Sequence, residues 1–202
     1  MFPLFETIKL IDGIPQNLSY HQQRFEVSYF KLYNKLTSIR LKNLINVPQE
    51  YQKGIVKLRL LYNDHDCFCQ FENYIFRNIK KLQLVYNDNI EYELKWTNRK
   101  PLEKLLLQKN KADDILIVKN NRITDTSFSN IVFYDGKQWL TPRFPLLYGT
   151  ARERLLNDKL IQAIDIRVDD LNDFKFYRLI NAMCDFEKQP SLPIRNILME
   201  KT

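Results

Sequence analysis

Two Asp-Gly dipeptides, Asp12-Gly13 and Asp135-Gly136, hold half of the four glycines in this chain, and each separates residues of strand-like composition. A two-residue type I′ turn needs positive φ at both central residues, which aspartate tolerates and glycine favours, so each dipeptide predicts a β-hairpin. The first closes a strand-like run over residues 4–11. The second joins 131–134 to 138–141, with Pro142 ending the pair. A hairpin is therefore expected in each half of the chain.

Between and beyond these turns the pattern is mixed. Ser19 and Gln22 have capping-box spacing, and Phe25, Tyr29, Leu32, Tyr33 and Leu36 recur at helical intervals, which predicts an amphipathic helix over 20–38. A short helix over 47–53 is expected to stop at Gly54, followed by a hairpin of 55–62 and 67–76 around Asn63-Asp64-His65-Asp66 and a strand over 81–86. From Pro101, Leu102, Leu105 and Leu106 share one helical face as far as Asn110. A buried strand over 115–118, a turn at Asn120-Asn121, a helix over 151–160, a strand over 161–168 and an apolar strand or turn over 176–183 complete the pattern. This predicts an α+β fold of two lobes, a small one over 1–92 and a larger one over 93–202.

Composition narrows the partners. Apolar residues make up 45% of the 202 residues, enough for a packed core, and no uninterrupted apolar run suits a membrane span. The first residues carry neither a basic leader nor a signal-length apolar stretch, so the cytoplasm is the expected compartment and no membrane partner is expected. Cys67 and Cys69 alternate on one face of a strand, and His65 beside them does not complete a metal-ligand set, so reduced thiols and no metal are expected. The net charge of +7 is spread among 24 acids and forms no basic tract, which argues against nucleic acid and fits a small anionic ligand.

Taken in order, several segments resemble the fold-type IV pyridoxal-phosphate enzymes, the class IV aminotransferases and 4-amino-4-deoxychorismate lyases. Phe5-Glu6-Thr7 with Asp12-Gly13 is similar to the family's opening strand and turn, and Tyr20-His21-Gln22-Gln23-Arg24-Phe25 to the start of its first helix. Lys95-Trp96-Thr97-Asn98-Arg99 looks like its lysine segment, and Ile123-Thr124-Asp125 through Asn130 like the segment bearing its acid. Thr141-Pro142, Leu147-Tyr148-Gly149-Thr150-Ala151-Arg152 and Leu179-Ile180-Asn181-Ala182-Met183 match later motifs. The likeness covers almost the whole chain, with a shortened amino-terminal lobe.

The resemblance implies a D-amino acid aminotransferase-like fold and pyridoxal 5'-phosphate as cofactor. Lys95 would carry the cofactor as a Schiff base and later act as general base, a role suited to an amine whose pKa falls on desolvation. Arg24 would bind the phosphate, because its planar fork bonds two oxygens at once. Asp125 stands where the family has glutamate and would keep the pyridine nitrogen protonated, followed by Asn130; one methylene shorter, it must approach more closely or act through water. Gly149, Thr150 and Ala151 would form a backbone cup for the phosphate at a helix start, with Asn181 and Ala182 adding contacts. Arg59, Arg77 and Arg99 are candidates for substrate carboxylates. A homodimer is implied as well.

Two reactions share this framework. A 4-amino-4-deoxychorismate lyase would release pyruvate and 4-aminobenzoate for folate synthesis, and Asn98-Arg99 and Asn181-Ala182 are closer to the lyases. An aminotransferase acting on branched-chain or D-amino acids is the alternative. A third reading is a non-catalytic basic binding protein on the same fold, which would show salt-sensitive affinity and no chromophore.

Overall fold

The computed structural model describes residues 1–199, and packing divides the chain into one unit of Met1–Phe76 with Leu94–Asn98 and a second of Arg77–Glu93 with the residues from Arg99 onward. The boundary expected at 92/93 gives way to this division, which returns Lys95 to the first unit. Backbone pairing explains the return. The Phe5 N–H donates to the Lys95 carbonyl at 3.1 Å, Trp96 bridges antiparallel to Leu4, and the Thr97 hydroxyl donates to the Phe2 carbonyl at 2.7 Å.

In the first unit, strand β1 (Leu4–Ile11) turns through Asp12 and Gly13 at φ 48° and 78° into the two-residue β2 (Ile14–Pro15), so the expected hairpin forms with both turn residues left-handed. Helix α1 (Leu18–Tyr33) and the four-residue α2 (Leu41–Leu44) follow, then β3 (Ile55–Tyr62) and β4 (Cys67–Asn73). The sheet order is β2-β1-β3-β4, with antiparallel neighbours throughout.

Alternation along the strands builds the core of this unit. Val56, Leu58, Leu60 and Tyr62 of β3 face inward with Leu4, Ile8 and Leu10 of β1, and all are fully buried beneath Phe25 and Tyr29 of α1. Truncating one such leucine to alanine costs about 2–5 kcal/mol in well-packed cores. Glu6 occupies the inward position between Leu4 and Ile8, paired in register with Leu60.

Helix α1 begins earlier and ends earlier than the 20–38 read from periodicity. Asn17 and Asn34, both left-handed, bracket it, and no side-chain cap bonds its start. The Gln22 amide is drawn elsewhere: it donates to Glu26 and to the Ile39 carbonyl and accepts from the Leu41 N–H, so the capping box does not form. The helix expected over 47–53 is a single 3₁₀ turn at Gln49–Tyr51.

The second unit contains β5 (Leu82–Tyr86), α3 (Lys100–Leu106), β6 (Asp114–Lys119), β7 (Arg122–Thr126), β8 (Asn130–Tyr134), β9 (Trp139–Pro142), α4 (Thr150–Asn157), β10 (Gln162–Ile164), β11 (Phe176–Ile180), β12 (Leu192–Pro193) and β13 (Ile197–Leu198). Two sheets result, ordered β13-β5-β6-β7 and β10-β9-β8-β11-β12. Ile131 and Phe133 of β8 share a core with Leu116, Val118, Leu140, Tyr177 and Leu179. Val132, of opposite parity, packs with Leu155 of α4 and Ile180. The strand expected over 161–168 is confined to β10; beyond it Arg167 forms an isolated bridge with Arg122, and a 3₁₀ turn follows at Asp169–Asp173.

Among the described residues, no helix is long and apolar enough to cross a membrane, and no group of three His, Cys, Asp or Glu is placed to hold a metal ion. Cys67 and Cys69 are partly buried thiols outside any disulfide, and Cys184 is partly buried.

Candidate functional site

In the first unit the site residues gather around one buried acid that the motif reading left without a role. Residues 21, 24 and 25 fall on the face of α1 that covers β1, since positions three and four apart share a helical face. Phe25 enters the apolar core, while His21 and Arg24 meet the fully buried Glu6. Arg24 Nε donates to Glu6 Oε1 at 2.9 Å, and its Nη2 to Oε2 at 2.5 Å. His21 Nδ1 lies 2.7 Å from Oε2.

Burial by itself would raise the Glu6 pKa. The Arg24 charge and the bonds from His21 and Arg24 outweigh it and hold the carboxyl down to about 2. An ionised carboxylate only accepts, so the Nδ1 of His21 carries the proton it donates. Burial lowers the His21 pKa; the Glu6 bond works against this, and the charges of Arg24 and Lys95 add to it. The imidazole is therefore neutral at physiological pH.

Lys95 is half-buried, with its Nζ 4.9 Å from the centroid of the Phe5 ring. The Arg59 guanidinium carbon lies 4.3 Å from the centroid of the same ring, and its buried Nε has no hydrogen-bond partner among the described residues. Phe5 thus receives two cations, each attracted to the ring quadrupole. The other carboxylate candidates sit differently. Arg77 lies over Phe128 in the second unit, and Arg99 donates to the Ser127 carbonyl at 2.6 Å and to the Tyr92 hydroxyl at 3.2 Å.

In the second unit Asp125, at the end of β7, is 5% exposed. Asn130 at the start of β8 donates its amide to Asp125 Oδ1 at 2.7 Å and to the Leu147 carbonyl at 2.9 Å, and the Leu147 N–H donates to Oδ2 at 2.9 Å. Burial pushes the Asp125 pKa up to about 6 against these bonds and the Arg152 charge. Gly149 is required here by space, because a Cβ would lie 1.9 Å from Asn130 Oδ1. Its φ of −74° is open to any residue, so no turn requires glycine here. Close approach to Asn130 is the reason for it.

Thr150, buried, and Ala151, partly buried, open α4, whose start has no side-chain cap; the first amides of any helix lack intrahelical acceptors. Arg152, from the same motif and also without an assigned role in the sequence, is 3% exposed. It donates to the Pro142 carbonyl at 2.9 Å, and its buried Nε has no partner among the described residues. Asn181 follows β11 and donates to the Ser129 hydroxyl at 2.8 Å, while its side-chain oxygen accepts from the Met183 N–H; Ala182 lies between, partly exposed.

The donor set suits a phosphorylated pyridine. An ionised carboxylate offers about four lone-pair sites, so Asp125 retains acceptor capacity beyond its two bonds, and a cation beside it would relieve the burial that raises its pKa. The helix start and the buried Arg152 supply positive potential suited to an anion.

Comparison with known proteins gives the same family. Residues 3–197 match the family model described as amino-transferase class IV. An uncharacterised protein from Haemophilus influenzae is 38% identical over 185 residues, covering 91% of this chain and 98% of its own. Among solved structures, a protein from Haemophilus somnus provisionally assigned as a 4-amino-4-deoxychorismate lyase is 39% identical, with a TM-score of 0.84 over 91% of this chain and 97% of that one. A hypothetical aminotransferase from Mycobacterium tuberculosis in its PLP-bound form shares the fold at 18% identity, with a TM-score of 0.75 over 95% of this chain and 80% of that one.

Proposed function

Since the chain belongs to the class IV aminotransferase family and has its two-lobed α+β fold-type IV architecture, we propose that it is a pyridoxal-phosphate-dependent lyase that converts 4-amino-4-deoxychorismate to 4-aminobenzoate and pyruvate. The observation that carries the cofactor reading is the buried Asp125, fixed by Asn130 and Leu147 with its pKa raised to about 6. The choice of lyase rests on the 39% identity to the Haemophilus somnus protein and on the Asn98-Arg99 and Asn181-Ala182 forms.

Pyridoxal phosphate, when bound, supplies an aldehyde for the substrate amine and a protonated ring that accepts electron density. In this reading Asp125 holds the proton on the ring nitrogen, and Asn130 and the Leu147 N–H keep that carboxylate aimed. Thr150, Ala151, Asn181 and Ala182 would hold the phosphate, a role that the family resemblance also gives to Arg24. Lys95 takes the proton from the substrate carbon that bears the amine. The C–O bond to the enolpyruvyl group then breaks, the ring becomes aromatic, and the departing enolpyruvate takes up a proton to become pyruvate.

The test is to supply the cofactor-loaded protein with 4-amino-4-deoxychorismate and measure both products. Equal amounts of 4-aminobenzoate and pyruvate, lost in Lys95→Ala, are expected. Keto acid formed from alanine, glutamate or a D-amino acid, with no 4-aminobenzoate, would replace the lyase by an aminotransferase.

A further inference from the structure

We propose that Glu6 is a positioning residue that orients Arg24 for the cofactor phosphate, an inference that rests on the assignment of Arg24 above. Glu6 stands at an inward position of β1 between Leu4 and Ile8, where strand parity calls for an apolar side chain. Burying a carboxylate there is costly, and an apolar residue of similar volume typically serves stability as well as or better than a buried ion pair. Fold stability alone is therefore a poor reason for an acid at this place.

The geometry supplies a better one. Arg24 meets the two carboxylate oxygens through Nε and Nη2, a two-point contact that fixes the plane of the guanidinium as well as its position. His21, one turn earlier on α1, holds Oε2 from the side, so the carboxylate cannot swing with the arginine. An exposed arginine would have to give up its rotamer freedom on meeting a ligand. Arg24 has largely given it up on folding, with its side chain 12% exposed. The cluster also lies within electrostatic reach of Lys95, whose charge acts on His21. One buried acid thereby presets an arginine near the lysine that the cofactor would engage.

The test compares equilibrium binding of pyridoxal 5'-phosphate and of pyridoxal, by absorbance and tryptophan fluorescence, in the wild-type protein, Glu6→Gln, Glu6→Asp and Arg24→Gln, with thermal unfolding measured alongside. The ratio of the two affinities isolates the phosphate contribution, which a merely structural role for Glu6 would leave unchanged. Glu6→Gln is expected to lower the ratio about tenfold, as for loss of a charged hydrogen bond, with Arg24→Gln lower still and Glu6→Asp between wild type and Glu6→Gln. Should Glu6→Gln fail to fold, Glu6→Asp decides, and an unchanged ratio there overturns the inference. A ratio lost in Arg24→Gln but kept in Glu6→Gln would make Glu6 a structural tie only. A higher ratio in Glu6→Gln would make Glu6 a competitor of the phosphate, which also overturns it. A wild-type protein with no preference for the phosphorylated form would overturn the assignment of Arg24, and the inference with it.

Discussion

Glu6 and Asp125 are both buried carboxylates, one in each unit, and their acidities lie far apart: about 2 for the first and about 6 for the second. Burial raises both. The difference comes from their partners. Glu6 is clasped by a guanidinium and an imidazole N–H, whereas Asp125 is bonded by two neutral amide donors, with the Arg152 charge acting without a direct bond. Desolvation penalises a charge wherever it is buried, and at Glu6 a paired opposite charge, together with the bonds from His21 and Arg24, reverses the sign. One acid is thus satisfied within the protein, while the other would be relieved by a bound cation such as a pyridinium.

The largest effect is expected where the satisfied pair is broken. Glu6→Ala leaves the buried His21 and the largely buried Arg24 without their acid and should cost about 3–5 kcal/mol, read as the free energy of denaturant unfolding. Asp125→Asn should cost far less, or stabilise the protein without cofactor.

The pH dependence of stability separates the two acids more finely. The Glu6 pKa is depressed from its ordinary 4.5 to about 2. Its contribution, roughly 3 kcal/mol, is therefore present above pH 4.5 and lost as pH falls toward 2. The Asp125 pKa is raised from its ordinary 3.8 to about 6. Its contribution, also roughly 3 kcal/mol, is present below pH 3.8 and lost as pH rises through 6. Unfolding measured from pH 2 to 8 should show both limbs in the cofactor-free protein, with Glu6→Gln flattening the acid limb and Asp125→Asn the other. Identical profiles for the two variants would refute the contrast.

A smaller effect tests how Asp125 is held. Gly149→Ala sets a methyl against Asn130 Oδ1 and should displace the amide from Asp125, costing about 1–3 kcal/mol. Asn130→Ala combined with Gly149→Ala should recover part of that loss, since the clash is then absent.

The sequence disclosed these two regions unequally. The Asp12-Gly13 hairpin was legible because its turn chemistry is local and both residues take the positive φ that it demands. The start of α1 was misplaced because Gln22, read as part of a cap, answers to Ile39 and Leu41 some twenty residues away. Lys95, Arg24, Asp125 and the Gly149 segment are singled out by the order of motifs, which no single residue discloses. Glu6 left a fainter signal: an acid at the inward parity of β1, with His21 and Arg24 one turn apart on the next helix. Only the packing of α1 over β1 joins them. Arg152 gave no local sign of its influence on Asp125, which lies 27 residues earlier in the chain (152 − 125).

The visible absorbance spectrum of the purified protein supplied with pyridoxal phosphate, beside Lys95→Ala, tests the central claim most directly. A pH-sensitive band present in the wild-type protein and absent from Lys95→Ala is the predicted result. The same spectrum from both proteins, with the cofactor unbound, would contradict it and leave a fold of this family that serves binding without catalysis.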